Sequence, residues 1–303
     1  MSVPDFQSYF LPLLQFAADG KVHSSKEAYA AMAEHFKLSD EARKEMLPSG
    51  TQLVYKNRVA WARSYLTKAL LLESPQRGTF CITKRGKALL AENPSTLRVK
   101  QLKKYPEFAV FHSAGSKQEK AGTGAADEEH EATPEEVFEK AYQELRSGLA
   151  DELLQQVTTN SPEFFERLVV KLLVKMGYGG SIKDAGQAMG RSGDEGIDGI
   201  IKEDKLGLDV IYIQAKRWQG SVGRPEIQKF VGALHGQRAK KGVFITTGTF
   251  TKDAEQYVAT IDPKVVLIDG KRLVELMIDH NLGISTVDTY EIKKIDSDFF
   301  VEE

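Results

Sequence analysis

From residue 160 to residue 280, short apolar runs alternate with longer segments of helical periodicity. The apolar runs lie near 180–184, around 198–201, and at 210–216, 242–247 and 264–268. The helical segments lie at 163–176, 224–240, 251–260 and 271–280. Parallel strands need crossover connections, which are usually helices. The alternation therefore predicts an α/β domain with a mixed central sheet flanked by helices, in which parallel strands follow an initial hairpin.

The stretch from Gly193 to Arg217 reads GDEGIDGIIKEDKLGLDVIYIQAKR. Three of its polar residues lie at the ends of predicted strands, where functional groups can meet. Asp198 stands at a glycine-flanked turn before one apolar run, and Gln214 and Lys216 close the next run. Alternate residues of a strand share a face, so Gln214 and Lys216 lie on the same side. If the two strands pair, an acid, an amide oxygen and an ammonium group meet at one end of the sheet. Such a group can hold a divalent metal ion and a water beside a phosphodiester.

These residues resemble the D-x(n)-Q-x-K signature of the Mrr family of type IV restriction endonucleases, within the PD-(D/E)xK nuclease superfamily. The family's G-x-G-D-x-G-I-D-G pattern is matched in part by Gly190, Gly193, Asp194, Gly196, Ile197, Asp198 and Gly199. The superfamily often adds a glutamate on the helix before the core, and Glu166 stands at that place. The likeness extends over nearly the whole chain. It implies a restriction-endonuclease-like core that uses Mg²⁺ to hydrolyse modified, methylated foreign double-stranded DNA.

The resemblance and the residue chemistry together give each site residue an expected role. Asp198 is expected to ligate Mg²⁺ directly, with the amide oxygen of Gln214 and the main-chain carbonyl of Ala215 as further ligands. Lys216 is expected beside the attacking water, where it orients the water or stabilises developing charge. Glu166 is expected to restore the negative charge that a glutamine at position 214 lacks.

Other interpretations of these residues stay open at this stage. Each polar residue taken alone is more often structural than catalytic, whereas the three in one register favour a metal nuclease site. Asp194 is explained equally well as a loop cap or a metal ligand, and Glu166 as a catalytic group or a surface charge. Segment 248–254 lacks the G-x-x-x-x-G-K-[ST] pattern, so no nucleotide cofactor is expected. A repair or junction nuclease, or a DNA-binding regulator with an inactive nuclease domain, remains an alternative function.

The first hundred residues have a basic balance, with 15 Lys and Arg against 9 Asp and Glu, which suggests a polyanionic partner. Helices, two short strands around 76–78 and a closing helix predict a winged helix-turn-helix domain, which sets one helix in the major groove. A basic helix at 52–72, with Leu70 in its buried stripe, is the expected recognition helix. The candidate DNA contacts are Asn57, Arg58, Arg63, Lys68 and Arg77. The same residues are also explained as the solvated face of a helix, and winged helices also dock proteins.

Residues 113–134 are poor in large apolar side chains and rich in Gly, Ala, Glu and Lys, which is typical of a flexible linker. A helix is predicted over 134–158, with Thr133 as its N-cap and Pro134 at its first position. We therefore expect a DNA-binding domain at 1–95, an acidic linker with a bridging helix at 96–158, and an endonuclease domain at 159–303.

Composition limits the cellular setting and the assembly. The single cysteine, Cys81, excludes an internal disulfide and fits a reducing cytosol. No apolar run approaches the ~20 residues that a membrane span needs, and the first residues lack a secretory pattern. We expect a cytoplasmic protein with no membrane partner. Cutting both strands of a duplex needs two sites, so a homo-oligomer, dimer or higher, is expected.

Overall fold

The computed structural model describes residues 2–76, 78–116, 132–179, 196–204 and 206–293, without the side chains of 113–116. The chain forms two compact units, one of residues 1–143 with 293–303 and the other of residues 144–292. Each unit is described by itself below. The strand expected near 180–184 lies outside the described residues.

The N-terminal unit is built from seven described helices and a small antiparallel sheet. The strands are β1 (His23–Ser24), β2 (Leu72–Glu73) and β3 (Thr79–Ile82), in the order β1-β3-β2. The helices are α1 (Phe10–Phe16), α2 (Ser25–His35), α3 (Asp40–Lys44), α4 (Val54–Lys68), α5 (Lys84–Ala91), α6 (Val99–Leu102) and α7 (Pro106–Ser116). Short 3-10 turns at Phe6–Tyr9 and Ala17–Asp19 flank α1. Helices α2, α4 and α7 are the longest of these, and each buries apolar side chains in one core with β3.

Helix α4 ends four residues before the position expected from the sequence. Its last residue is Lys68, and Leu70 adopts a left-handed backbone conformation with φ 56°. Leu70 is 45% exposed, so its place in the buried stripe was predicted wrongly. The chain turns here because Leu71 and Leu72, which follow, are buried in the core, and β2 begins at Leu72.

The N-terminal unit continues beyond residue 95. Leu97, Leu102 and Phe108 are buried in the same core as α1 and α4. The ring of Phe111 also lies 6.0 Å from that of Tyr65, in an edge-to-face arrangement. Helices α6 and α7 therefore belong to the N-terminal unit, because their apolar side chains complete its core.

The C-terminal unit has a four-stranded mixed sheet, as the sequence predicts. The strands of this unit are β4 (Gly199–Lys202), β5 (Val210–Lys216), β6 (Ser221–Val222), β7 (Lys241–Thr246), β8 (Thr249–Phe250) and β9 (Lys264–Ile268). The sheet order is β4-β5-β7-β9, with β4 antiparallel to β5 and the other neighbours parallel. Strands β6 and β8 form a separate parallel pair. The predicted hairpin followed by parallel strands is confirmed.

Helices cover both faces of this sheet. They are α8 (Pro134–Thr159), which begins in the N-terminal unit, α9 (Pro162–Lys175), α10 (Arg224–Gly236), α11 (Lys252–Val258) and α12 (Gly270–Asp279). Val243 and Ile245 share a core with α8, α9 and α12, whereas Phe244 shares a core with α10 and α11. Because successive strand residues alternate between two buried faces, the middle of β7, residues 242–245, carries no polar side chain.

Helix α8 starts as predicted. The Thr133 hydroxyl accepts a hydrogen bond from the Glu136 main-chain nitrogen at 3.2 Å, and the Glu136 carboxylate accepts one from the Thr133 nitrogen at 2.8 Å. This reciprocal arrangement is a capping box, which satisfies donors at the helix start. Within the described parts of the chain, no helix is long and apolar enough to cross a membrane.

Candidate active site

Asp198 is placed by the end of a loop and the start of a strand. Its main-chain nitrogen donates to the carbonyl of Ile213 at 2.9 Å, which extends the β4–β5 ladder by one residue. Two residues earlier, Gly196 has φ 105°, a conformation that favours glycine. A Cβ on Gly196 would lie 3.1 Å from the side-chain oxygen of Gln214. The glycine thus lets the loop turn and leaves room for the glutamine amide.

Asp198 and Gln214 are in direct contact across the β4–β5 pair. The Gln214 amide Nε2 donates to Asp198 Oδ2 at 3.2 Å, and the Ala215 main-chain nitrogen donates to the same oxygen at 2.7 Å. Gln214 is buried although its side chain is polar. The two donors fix one carboxylate oxygen of Asp198, and the other oxygen is not used in these bonds.

Lys216 lies two residues beyond Gln214, at the last position of β5. Its ammonium donates to Glu226 Oε2 at 2.6 Å and lies 5.0 Å from the centre of the Trp218 ring. Glu226 also accepts from Lys229 at 2.7 Å. The ion pair with Lys216 and then that with Lys229 hold the pKa of Glu226 below its usual range. Glu226 therefore presents a carboxylate to Lys216, the lysine that the sequence predicts to be catalytic.

Glu166 lies on α9 and is half-buried, and the charge of Asp198 affects its pKa. Burial is the main reason that the pKa of Glu166 is raised, and the nearby Asp198 carboxylate raises the same pKa further. A cation near Glu166 and Asp198 would offset the unfavourable effect of the Asp198 charge on an ionised Glu166. A role for Glu166 in metal binding stays a prediction.

The predicted ligands have the chemistry that a hard divalent cation needs. Asp198 and Glu166 would supply carboxylates, Gln214 an amide oxygen and Ala215 a main-chain carbonyl, which are the ligand types that Mg²⁺ takes. Among the residues that the structure describes, no cluster of three or more His, Cys, Asp or Glu residues could hold a metal ion. The donor set is accordingly a mixed one, with few carboxylates.

The N-terminal candidates Asn57 and Arg58 have partners inside their own unit. Asn57 is 1% exposed, accepts from the Thr133 hydroxyl at 2.7 Å and donates to the Glu135 carboxylate. Arg58 pairs with Glu136 at 2.8 Å and also donates to the carbonyls of residues 3 and 4. A DNA contact by either side chain would require it to leave these bonds.

The other predicted DNA contacts are placed differently. Arg63 donates to the hydroxyl of Ser25, and Lys68 is exposed with its ammonium 5.3 Å from the centre of the Phe111 ring. Arg77, Asp194 and the earlier glycines of the motif lie outside the described residues. DNA contact by these side chains stays a prediction.

Two residues at the site were not identified from the sequence. Glu226 occupies the first turn of α10, where an acidic residue is common for helix stability alone, so its spacing from Lys216 gives no signal. Trp218 also lines a cavity of about 310 Å³ with Thr158, Arg217, Gln219, Gly220 and Thr247. Arg217 donates to the Thr158 carbonyl at 2.7 Å on the rim of this cavity.

Comparison with known proteins matches both halves of the chain to established families. Residues 157–277 match a family model described as restriction endonuclease, and residues 6–92 match the Mrr N-terminal domain. The chain is 39% identical over 308 residues to the type IV methyl-directed restriction enzyme EcoKMrr of Escherichia coli (strain K12). That alignment covers 99% of this chain and 100% of the relative.

Two solved structures share weaker similarity with the chain. The MspJI restriction endonuclease in complex with a 27-mer oligonucleotide has a TM-score of 0.29 and 24% identity, over 54% of this chain and 36% of that one. The DNA modification-dependent restriction endonuclease AspBHI has a TM-score of 0.34 and 17% identity, over 71% of this chain and 56% of that one.

Proposed function

This chain belongs to the Mrr family of restriction endonucleases, and we propose that it cuts methylated foreign DNA as a type IV enzyme. The observation that carries the proposal is the contact of Asp198 with Gln214 near the end of β5, two residues before Lys216 on the same strand. The near full-length likeness to a methyl-directed enzyme supports methylated DNA as the substrate.

We propose Mg²⁺ as the metal ion, held by Asp198, Gln214, Ala215 and Glu166. When bound, such an ion neutralises charge at the scissile phosphate and lowers the pKa of a water. The protein's own contribution is to place the ligands. The Ala215 nitrogen fixes one Asp198 oxygen at 2.7 Å, and β5 rigidly carries both Gln214 and Lys216. Lys216 then orients the attacking water or donates to a phosphate oxygen as charge develops.

We also propose that the N-terminal unit is a winged helix-turn-helix that reads DNA. Helix α4 would enter the major groove, and Arg63, Lys68 and Arg77 would contact the duplex. The basic balance of the first hundred residues and the match to the Mrr N-terminal domain support this role. Asn57 and Arg58 would act in the same unit by holding α8 to α4.

Cleavage of both strands favours a homo-oligomer, dimer or higher, as the active form in the cytoplasm. Sedimentation of the protein on a duplex substrate tests this assembly. A species of one chain per duplex that still makes double-strand breaks would contradict it.

The experiment that tests the function is cleavage of one plasmid, prepared methylated and unmethylated, in Mg²⁺ and in EDTA. Wild type is compared with Asp198→Ala and Lys216→Ala, and with Asp262→Ala and Lys264→Ala as controls on exposed residues elsewhere in the unit. We expect cutting of the methylated plasmid alone, lost in EDTA and in the first two variants, and kept in the controls.

The other outcomes separate the alternatives. Equal cutting of both plasmids would keep the nuclease and remove methyl dependence. Cutting of a branched substrate with both plasmids spared would indicate a junction nuclease. Binding without any cutting would indicate a DNA-binding regulator.

A further inference from the structure

Lys216 is held on two sides by residues that follow it in the chain. Glu226 Oε2 accepts from its ammonium at 2.6 Å, and the Trp218 ring faces it at 5.0 Å. The Lys216 and Glu226 side chains are 27% and 18% exposed, so the pair is shielded from bulk water for most of its surface. An ion pair that is shielded in this way is less weakened by solvent than one on an open surface.

We propose that Glu226 is a positioning residue for Lys216, which holds the ammonium where the reaction needs it; this rests on the proposed nuclease function. The acceptor is one carboxylate oxygen, so the remaining N–H donors of the ammonium stay available for water or phosphate. Glu226 itself touches neither the DNA nor the metal ion in this role.

The need for such a residue follows from the lysine side chain. A lysine ammonium sits at the end of a flexible four-carbon stem, and ordering that stem is unfavourable in entropy. A misplacement of about 1 Å at a reacting group can lower a rate by about 100-fold. If a partner orders Lys216 before the substrate binds, the entropy loss of ordering its side chain no longer falls on the catalytic step.

Glu226 is itself rigidly placed. It lies in the first turn of α10, and its main-chain nitrogen donates to the Gly223 carbonyl at 3.1 Å. The next residue, Ile227, and Phe230 are fully buried against the sheet and fix the helix start. Because α10 is packed against the sheet, the Glu226 carboxylate has a defined position, and its bond to Lys216 restrains the ammonium at the end of that flexible side chain.

Lys229 gives Glu226 a second partner without competing for the same oxygen. It bonds Oε1 at 2.7 Å, whereas Lys216 bonds Oε2. Lys229 is 71% exposed, so solvent weakens its ion pair with Glu226 more than that of Lys216. Together the two ammonium groups keep the pKa of Glu226 low and its carboxylate ionised.

A purely structural role for Glu226 makes different predictions. A glutamate in the first helical turn stabilises the helix through the helix dipole, and its removal would lower the melting temperature. A positioning role instead lowers the rate of the chemical step with little change in melting temperature or DNA affinity. Glu226→Gln separates the two, because its amide oxygen still accepts from Lys216 but carries no charge.

The test uses the full chain with Glu226→Ala and Glu226→Gln, and with Glu275→Ala as the control. Glu275 is a glutamate in an i,i+3 ion pair with Arg272 on α12. Four quantities are measured: single-turnover cleavage of the plasmid that wild type cuts, DNA affinity in EDTA, melting temperature, and acylation of Lys216 without DNA, read by mass spectrometry.

We expect Glu226→Ala to slow single-turnover cleavage by about 100-fold, with DNA affinity as in wild type and only a small fall in melting temperature from the lost ion pair and first-turn charge. Glu226→Gln should recover part of the rate, to within about 10-fold of wild type. Lys216 should be acylated faster in Glu226→Ala than in wild type, because its amino group is no longer held against a carboxylate and is open to the reagent. Glu275→Ala should match wild type in all four.

The proposal is overturned if Glu226→Ala cuts at the wild-type rate, or if its loss of rate is explained by an equal loss of DNA affinity or by unfolding at the assay temperature. Equal acylation of Lys216 in wild type and Glu226→Ala would also overturn it. If wild type cuts no plasmid, the proposed function fails, and the acylation comparison still decides whether Glu226 holds Lys216.

Discussion

The replacement Asn57→Ala tests whether this asparagine stabilises the N-terminal unit from inside. Asn57 is 1% exposed, and its side chain joins Gln52, Thr133 and Glu135. Gln52 and Glu135 are only partly buried, so both can turn to water when the amide is removed. The Thr133 hydroxyl is fully buried and would lose the acceptor of its hydrogen. One buried donor left unsatisfied costs about 1–3 kcal/mol, and the small void adds to this.

We therefore expect Asn57→Ala to lower the free energy of unfolding of the N-terminal unit by about 2–3 kcal/mol. The chain has two tryptophans, Trp61 in the N-terminal unit and Trp218 in the other, so each unit has its own fluorescence reporter. Urea unfolding is followed through Trp61 in a Trp218→Phe background. Asn160→Ala, at an exposed asparagine in the C-terminal unit, is the control and should leave the Trp61 transition unchanged.

A double-mutant cycle sharpens the test. Thr133→Val removes the donor that Asn57→Ala would leave unsatisfied, so the double variant should lose less stability than the sum of the two single variants. Additive losses would show that the buried hydrogen bond is not the source. An unchanged Trp61 transition with a large loss of DNA affinity would refute the reasoning altogether, because Asn57 would then act on DNA and not in the core.

Three further predictions follow from single contacts. The pKa of Glu166 is raised, so its ionised form weakens the folded state, and stability falls as pH rises from the usual glutamate pKa through the folded pKa. In EDTA, Glu166→Gln should therefore melt at a higher temperature than wild type at neutral pH, and at the same temperature at a pH below the usual glutamate pKa. A lower melting temperature of Glu166→Gln at neutral pH would contradict this. A Cβ on Gly248 would lie 2.0 Å from the Gly220 carbonyl, so Gly248→Ala should destabilise the C-terminal unit by about 3 kcal/mol, read from Trp218 fluorescence, with Gly232→Ala in open space as its control. Ser24 caps α2 by accepting from the main chain at 3.2 Å, so Ser24→Ala should cost the N-terminal unit about 1 kcal/mol in urea unfolding, and no change would exclude the cap as a source of stability.

Features set by neighbouring residues in the chain were predictable. The Thr133 cap and the start of α8 follow from one short segment, because a capping hydroxyl and the nitrogen it serves lie three residues apart. The end of α4 was not predictable in the same way. Leu70 continues the helical period, but the burial of Leu71 and of Leu72, the first residue of β2, favours a turn before them.

The partners of the basic residues on α4 were also beyond sequence reasoning. Asn57 and Arg58 are of residue types that contact DNA from a helix, and nothing near them in the chain indicates burial. Their partners Thr133, Glu135 and Glu136 come from a segment more than seventy residues later. Such a pairing depends on how the chain closes over long separations, which periodicity does not encode.

By itself, the sequence determined the mixed sheet and the shared strand of Gln214 and Lys216, because strand periodicity is a local property of the backbone. It also determined the residue types that a metal nuclease needs. Only the tertiary structure decided that Asp198 contacts Gln214, that Glu166 senses Asp198, and that Glu226 holds Lys216. The first contact forms when β4 pairs with β5, and the other two form only when helices α9 and α10 pack on opposite faces of the sheet.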